Sequence, residues 1–140
     1  MYSEVVPGLC LGDLKDATHH SREFQAVINC TKDFPFYALE CPWRTRVPLD
    51  DDVRENGRLL ALLPWVVDEI AKHLAAGRRV LVHCWAGRQR SAAVVAAFLV
   101  GSGRSLDEAV ALVRAARPEA FLPYMTFEEA LGEFLKQTKK

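Results

Sequence analysis

RVLVHCWAGRQRS, residues 79–91, decides how this chain is read. Its opening, Arg79 to His83, is a short apolar and β-branched run, the composition of a strand buried on both faces. From Ser91 to Val100 the residues are small and apolar, as a helix packed tightly on both sides requires, with Gly101 and Gly103 to close it. Cys84 to Arg90 must therefore be the loop between them. A strand that feeds a glycine-containing loop and then a helix makes an anion site beyond the carboxyl end of a sheet, because the first N–H groups of the helix are unpaired and its dipole is positive there.

The spacing inside the loop has a mechanical meaning. Five residues, Trp85, Ala86, Gly87, Arg88 and Gln89, separate a cysteine from an arginine. Such an arc can turn its backbone N–H groups inward around three phosphate oxygens, with Gly87 permitting the tight curve. Arg90 adds a planar fork that grips two oxygens at once. Cys84, beside that guanidinium and at the positive end of the helix, is placed to react as a thiolate. His83 reads as a structural histidine that supports the loop, since no second ligand stands at metal spacing.

Outward from this junction the chain alternates strands and helices. Leu9 to Leu11, Gln25 to Thr31 and Arg44 to Leu49 carry strand patterns, and Asp13 to Phe24 a short helix. Glu55 to Ala76 is a helix with one apolar face that ends at Gly77, with Pro64 either kinking it or starting it afresh. Ser105 to Glu108 and Thr126 to Glu129 each fit a capping box that opens a further helix. Lys136 to Lys140 reads as a solvated tail, and Thr31 to Trp43, rich in proline and aromatics, as a surface loop whose Phe34, Phe36 and Tyr37 either rim a cleft or pack on their own domain. The pattern predicts one compact α/β domain spanning residues 1–140, with a central, mostly parallel, twisted sheet flanked by helices and the 79–83 strand at its middle.

The segment from His83 to Ser91 matches the His-Cys-x5-Arg-Ser/Thr signature of the protein tyrosine phosphatase superfamily, and the chain resembles its small, atypical dual-specificity branch. VVPGLCLGDLKDA (5–17), AVINCT (26–31), VPLDD (47–51) and ARPEAFLPYMTFEEAL (116–131) extend the likeness over nearly the whole length. The resemblance implies a cysteinyl-phosphate intermediate on Cys84, with an aspartate protonating the leaving group. Continuing the alternation of Val47 and Leu49 puts Asp51 on their face, and the family pattern places the acid at that same aspartate; Asp50 and Asp52 compete for the role. Ser91 matches the hydroxyl that assists departure of the thiolate, and can also serve as the N-cap of its helix. Some relatives carry, where Cys30 stands, a cysteine that bonds reversibly to the nucleophile; the plain alternative is a buried thiol acting as a small hydrophobe.

Two departures from the family stand out. Tyr124 stands where asparagine is usual, a change of local packing, and no phosphotyrosine-clamping motif precedes Arg44, which favours a shallow pocket open to several phosphoresidues. Arg88 is basic at a loop position that meets extra phosphates in inositide phosphatases, but Trp85 occupies the companion position and reads as a rim residue. The expected activity is therefore a phosphoprotein phosphatase acting on phosphotyrosine and on phosphoserine or phosphothreonine, without cofactor or metal. Alternatives are a phosphoinositide or inositol phosphate phosphatase, an RNA 5′-triphosphatase, and a phosphate-binding module without turnover.

Composition narrows the rest. Eighteen basic residues balance eighteen acidic ones, so no overall positive field draws the chain to nucleic acid. No apolar run reaches the ~20 residues that span a bilayer. Four cysteines form no CxxC pair, which fits reduced thiols in an intracellular setting, cytoplasm or nucleus. A monomer is expected, with a phosphorylated protein as its partner.

Overall fold

In the computed structural model, which describes residues 1–32 and 40–139, five strands form one sheet in the order β1-β2-β5-β3-β4. The strands are β1 (Ser3–Val6), β2 (Leu9–Gly12), β3 (Ala26–Thr31), β4 (Trp43–Leu49) and β5 (Val80–His83). β2, β5, β3 and β4 run parallel, and β5 lies at the centre as its apolar run predicts. β1 adds an antiparallel edge that the sequence pattern did not announce. It turns back through Pro7 and Gly8, and Gly8 takes a φ of +84°, a left-handed value that suits glycine.

The period of two along each strand sorts the core into two layers. Leu9, Leu11, Ala26, Ile28, Val80 and Val82 face the larger core, which is covered by four helices: α2 (Asn56–Ala75), α3 (Arg90–Gly101), α4 (Leu106–Ala116) and α5 (Glu128–Thr138). Cys10, Val27 and Leu81 face the other way, onto Ala17 and Phe24 beneath α1 (Leu14–His20). α3 is buried nearly all round, because its run of alanine and valine lets neighbours approach closely. No helix among the described residues is long and apolar enough to cross a membrane.

Several local expectations change. α2 continues through Pro64 rather than restarting there; Pro64 lies on the exposed face, where the carbonyl four residues earlier can turn toward water. The box at Ser105 and Glu108 forms in full, with bonds of 3.1 and 2.9 Å. Thr126 does not cap its helix: α5 begins after Phe127, and tertiary bonds from Gln89 and Asn56 hold the segment instead. Lys136 lies within the last turns of α5 and pairs with Glu133 at 3.2 Å, so the solvated tail is shorter than expected. Phe34, Phe36 and Tyr37 lie outside the described residues.

Candidate active site

His83 ends β5, flanked in register by Gly12 of β2 and Asn29 of β3, so the chain leaves the sheet at its middle. Residues 84–89 then curl into the first turn of α3. Cys84 lies at the base of the curl, only 2% exposed. Its Sγ receives the Gly87 N–H at 3.2 Å and lies 3.1 Å from Ser91 Oγ. Ser91 is therefore not the N-cap: Gln89 holds that position, and the serine hydroxyl is spent on the sulfur. One backbone donor and one hydroxyl able to donate, both on the sulfur at a helix N-terminus, are an arrangement suited to a thiolate.

The loop is braced from behind. Gly87 has a φ of +69°, and a Cβ there would stand 2.8 Å from both an Arg117 nitrogen and the Gly12 carbonyl oxygen. Arg117, buried itself, donates to Ala86 O at 3.4 Å and to Met1 O at 3.3 Å, with Glu119 and Asp13 carboxylates at 3.4 and 3.9 Å to balance its charge. Sequence reasoning gave it no role. Its only signal was a place in the quoted 116–131 segment.

The C-terminal side supplies a wall. Phe121 N donates to Arg88 O at 2.8 Å. Gln89, read as part of the phosphate cradle, turns its side chain away from it: Nε2 donates to Leu122 O (3.2 Å) and Tyr124 O (2.5 Å), and Oε1 accepts from Thr126 N (3.1 Å). Only its backbone remains for phosphate. The wall, the loop and the aspartate segment enclose an open cleft of about 370 Å³ that Asp51, Cys84, Trp85, Ala86, Arg88 and Arg90 line. Trp85 is 51% exposed at its rim.

Arg90 links the loop to the aspartate segment. Its Nη1 donates to Leu49 O at 3.0 Å, the last residue of β4 before the three aspartates. Of these, Asp50 is bonded to Lys32 at 2.8 Å and Asp52 to Arg54 at 2.7 Å. Bonding to Arg54 holds the Asp52 carboxyl down at about 2, and Lys32, ahead of the Asp50 backbone N–H, does the same for Glu55. Asp51 alone of the three lines the cleft, and among the described residues its carboxylate has no partner.

His83 is wholly buried, with Nδ1 3.4 Å from Cys84 O. Burial pushes its imidazole down to about 4, and the Arg46 and Arg90 guanidiniums act in the same direction. At ordinary pH its imidazole is therefore neutral. Cys30, one residue past the Asn29–His83 pair, reaches the level of Cys84 on the neighbouring strand. Burial first, then the charge of Cys84, raises its thiol well above the ordinary value, and all four cysteines are free. Among the described residues no group of three His, Cys, Asp or Glu could hold a metal ion.

Comparison with known proteins gives a consistent result. The family model described as dual specificity phosphatase, catalytic domain, matches residues 10–137. A protein of Invertebrate iridescent virus 6, 123R, is 34% identical over 134 residues, covering 94% of this chain and 90% of its own length. Human dual specificity protein phosphatase 8 is 31% identical over 98% of this chain, which spans only 22% of that longer protein. The crystal structure of human dual specificity phosphatase 28 superposes with a TM-score of 0.89 at 30% identity, over 99% of this chain and 95% of that one.

Proposed function

Because the chain belongs to the dual specificity phosphatase family and carries its cysteine-dependent phosphatase domain, we propose that Cys84 is the nucleophile, Arg90 the phosphate clamp, Asp51 the general acid and base, and Ser91 the hydroxyl that steadies the thiolate. The carrying observation is the convergence of Gly87 N–H and Ser91 Oγ on Cys84 Sγ, 3.2 and 3.1 Å away, at the base of a cleft that Asp51 also lines.

In the first step the Cys84 thiolate attacks phosphorus while the bond from phosphorus to the leaving oxygen breaks, and Asp51 gives its proton to that oxygen. The inward N–H groups of residues 85–90 and the Arg90 fork hold the three remaining oxygens, whose charge is greatest at the transition state. In the second step Asp51, now a carboxylate, takes a proton from water as that water attacks phosphorus and the sulfur–phosphorus bond breaks. Ser91 then donates to the departing thiolate.

The substrates are phosphoproteins, phosphotyrosine first and phosphoserine or phosphothreonine as well, because the cleft is open and its rim carries the exposed rings of Trp85 and Tyr124 rather than a deep slot. The domain works as a monomer in the cytoplasm or nucleus, without cofactor or metal. Cys30 is the reserve thiol: once an oxidant converts the Cys84 thiolate to a sulfenic acid, Cys30 condenses with it, forming a disulfide and releasing water.

Phosphate release by the wild type and Cys84→Ser from phosphotyrosine peptide, phosphothreonine peptide, phosphoinositide and triphosphorylated RNA tests the reading. Turnover of the peptides, abolished in the variant, is expected. Preference for the lipid or RNA would replace the substrate class, and a folded wild type that turns over nothing would leave a phosphate-binding module.

A further inference from the structure

Beside the catalytic cleft lies a second concavity of about 520 Å³, between the turn at Val53, the start of α2 and the first half of α5. Its walls combine three glutamates, Glu128, Glu129 and Glu133, and one lysine, Lys136, with apolar Val53, Leu106 and Met125, so the groove is acidic on balance. Val53 is 58% exposed, a large value for a β-branched residue unless something packs there. Glu133 is paired with Lys136 at 3.2 Å, while among the described residues Glu128 and Glu129 carry no ion pair.

Thr126 joins the two concavities, lining both. The residue is only 5% exposed, and its backbone is fully engaged: its N–H donates to Gln89 Oε1 and its carbonyl accepts from Asn56 Nδ2 at 3.0 Å. Its hydroxyl has no partner among the described residues, because the helix cap that would have used it does not form. The Thr126 side chain, otherwise packed into the fold, lines both cavities, so its unused hydroxyl is a contact open to whatever passes between them.

We propose that this groove holds the substrate polypeptide flanking the phosphoresidue, and selects flanks that carry lysine or arginine beside a small apolar residue. The phosphate enters the cleft with Arg88 and Arg90; the chain crosses Thr126, whose hydroxyl meets its backbone; the basic flank lies among the glutamates. Positive and negative groups of the substrate are thereby sorted into separate concavities, a complementarity that acts on specificity more than on the chemical step. The rigid Asn56 contacts, to Val53 O, Thr126 O and Ala130 N, hold the groove's edges in place. This inference rests on the phosphoprotein phosphatase reading above.

The test compares kcat/KM for phosphotyrosine peptides bearing lysine and arginine, or glutamate, within four positions on either side, with para-nitrophenyl phosphate as a substrate that reaches only the cleft. The wild type should favour basic flanks about fivefold, the sum expected of two exposed ion pairs, to Glu128 and Glu129, and the preference should shrink in 1 M salt. Glu128→Lys/Glu129→Lys/Glu133→Lys should abolish or invert the preference through KM, with para-nitrophenyl phosphate hydrolysis unchanged, which also certifies folding. Thr126→Val should weaken basic and acidic peptides alike, several-fold, because the hydroxyl reads backbone. Equal rates on both peptide classes, or a preference that survives the triple variant, would overturn the groove while leaving the phosphatase intact. Failure of the wild type on para-nitrophenyl phosphate would instead bring down the phosphatase reading, and the groove with it.

Discussion

The two segments that meet in the cleft are built on opposite plans. The phosphate loop, residues 84–90, is held on every side: Cys84 bonded to Gly87 and Ser91, Ala86 to Arg117, Arg88 to Phe121, Gln89 to the wall at 122–126. The aspartate segment, residues 50–52, is exposed, and its two flanking carboxylates are drawn outward to Lys32 and Arg54, leaving Asp51 free to face the cleft. A phosphoryl group has the same shape in every phosphoester, so its cradle gains from rigidity. The leaving oxygen differs between phosphotyrosine and phosphothreonine, and in the proposed mechanism an acid serving both gains from having no fixed partner.

Asp51→Asn strikes the free side of that comparison. It should lower kcat by about 10² to 10⁴ on phosphothreonine peptide, whose alkoxide leaves poorly, and much less on para-nitrophenyl phosphate, whose phenolate leaves without a proton. Asp50→Asn and Asp52→Asn should each change the rate less than about threefold, since their charges are spent on Lys32 and Arg54. Equal losses at all three positions would show a segment acting as a diffuse negative field rather than through one acid.

Gly87→Ala attacks the rigid side. Because the left-handed φ and the 2.8 Å approaches to Arg117 and Gly12 leave no space for a methyl, the loop or the brace must move, at a cost of about 3 kcal/mol in unfolding free energy. Urea denaturation measures it, and inhibition by inorganic phosphate should weaken in parallel. A stable variant with unaltered phosphate binding would mean that the cradle is less tightly held than its contacts imply.

How much of this could be read from the sequence follows the same division. Cys84, Arg90 and Ser91, the proposed nucleophile, clamp and hydroxyl, stand at covalently fixed spacing on one strand–loop–helix junction, so eight residues of chain carry their geometry. β5 was legible as the central strand because both its faces are buried, and its apolar run says so. What escaped depends on tertiary partners. β1 is half-exposed and lacks a clear period; Thr126 fits a capping box by pattern but is claimed by Gln89 and Asn56 across the fold; and Arg117 braces the loop from 31 positions away. The choice among Asp50, Asp51 and Asp52 leaned on strand alternation, and the structure adds the reason: Lys32 and Arg54 occupy the neighbours.

His83 ties the rigid side to pH. Folded, it stays neutral down to about 4, against an ordinary imidazole value of 6.5. The folded value is depressed, so the unfolded chain binds more protons between these limits, and stability falls as pH drops through that window. Between pH 7.5 and 5 the loss from this residue amounts to about 2 kcal/mol. His83→Asn should flatten that part of the urea-midpoint profile. His73, also lowered by burial, adds to the same window in both proteins, and Asp52 and Glu55, held at about 2, act only at lower pH. An unchanged slope in His83→Asn would mean that the buried imidazole is not what senses acid.

Ser91→Ala is the smallest change and separates the two chemical steps. The hydroxyl sits 3.1 Å from the sulfur and is worth most when the sulfur carries full negative charge, which is at the close of the second step as the sulfur–phosphorus bond breaks. Its removal should slow breakdown of the phosphoenzyme about tenfold, the size of one hydrogen bond to a charged group. Formation of the phosphoenzyme consumes the thiolate and should change less. With para-nitrophenyl phosphate, stopped-flow traces of Ser91→Ala should therefore show a burst of nitrophenolate equal to the enzyme concentration, followed by a slower steady state, with kcat lowered more than kcat/KM. A variant that loses both parameters equally and shows no burst would place the serine in the attack step, and would make the rigid loop, rather than its one hydroxyl, the group that releases the thiolate.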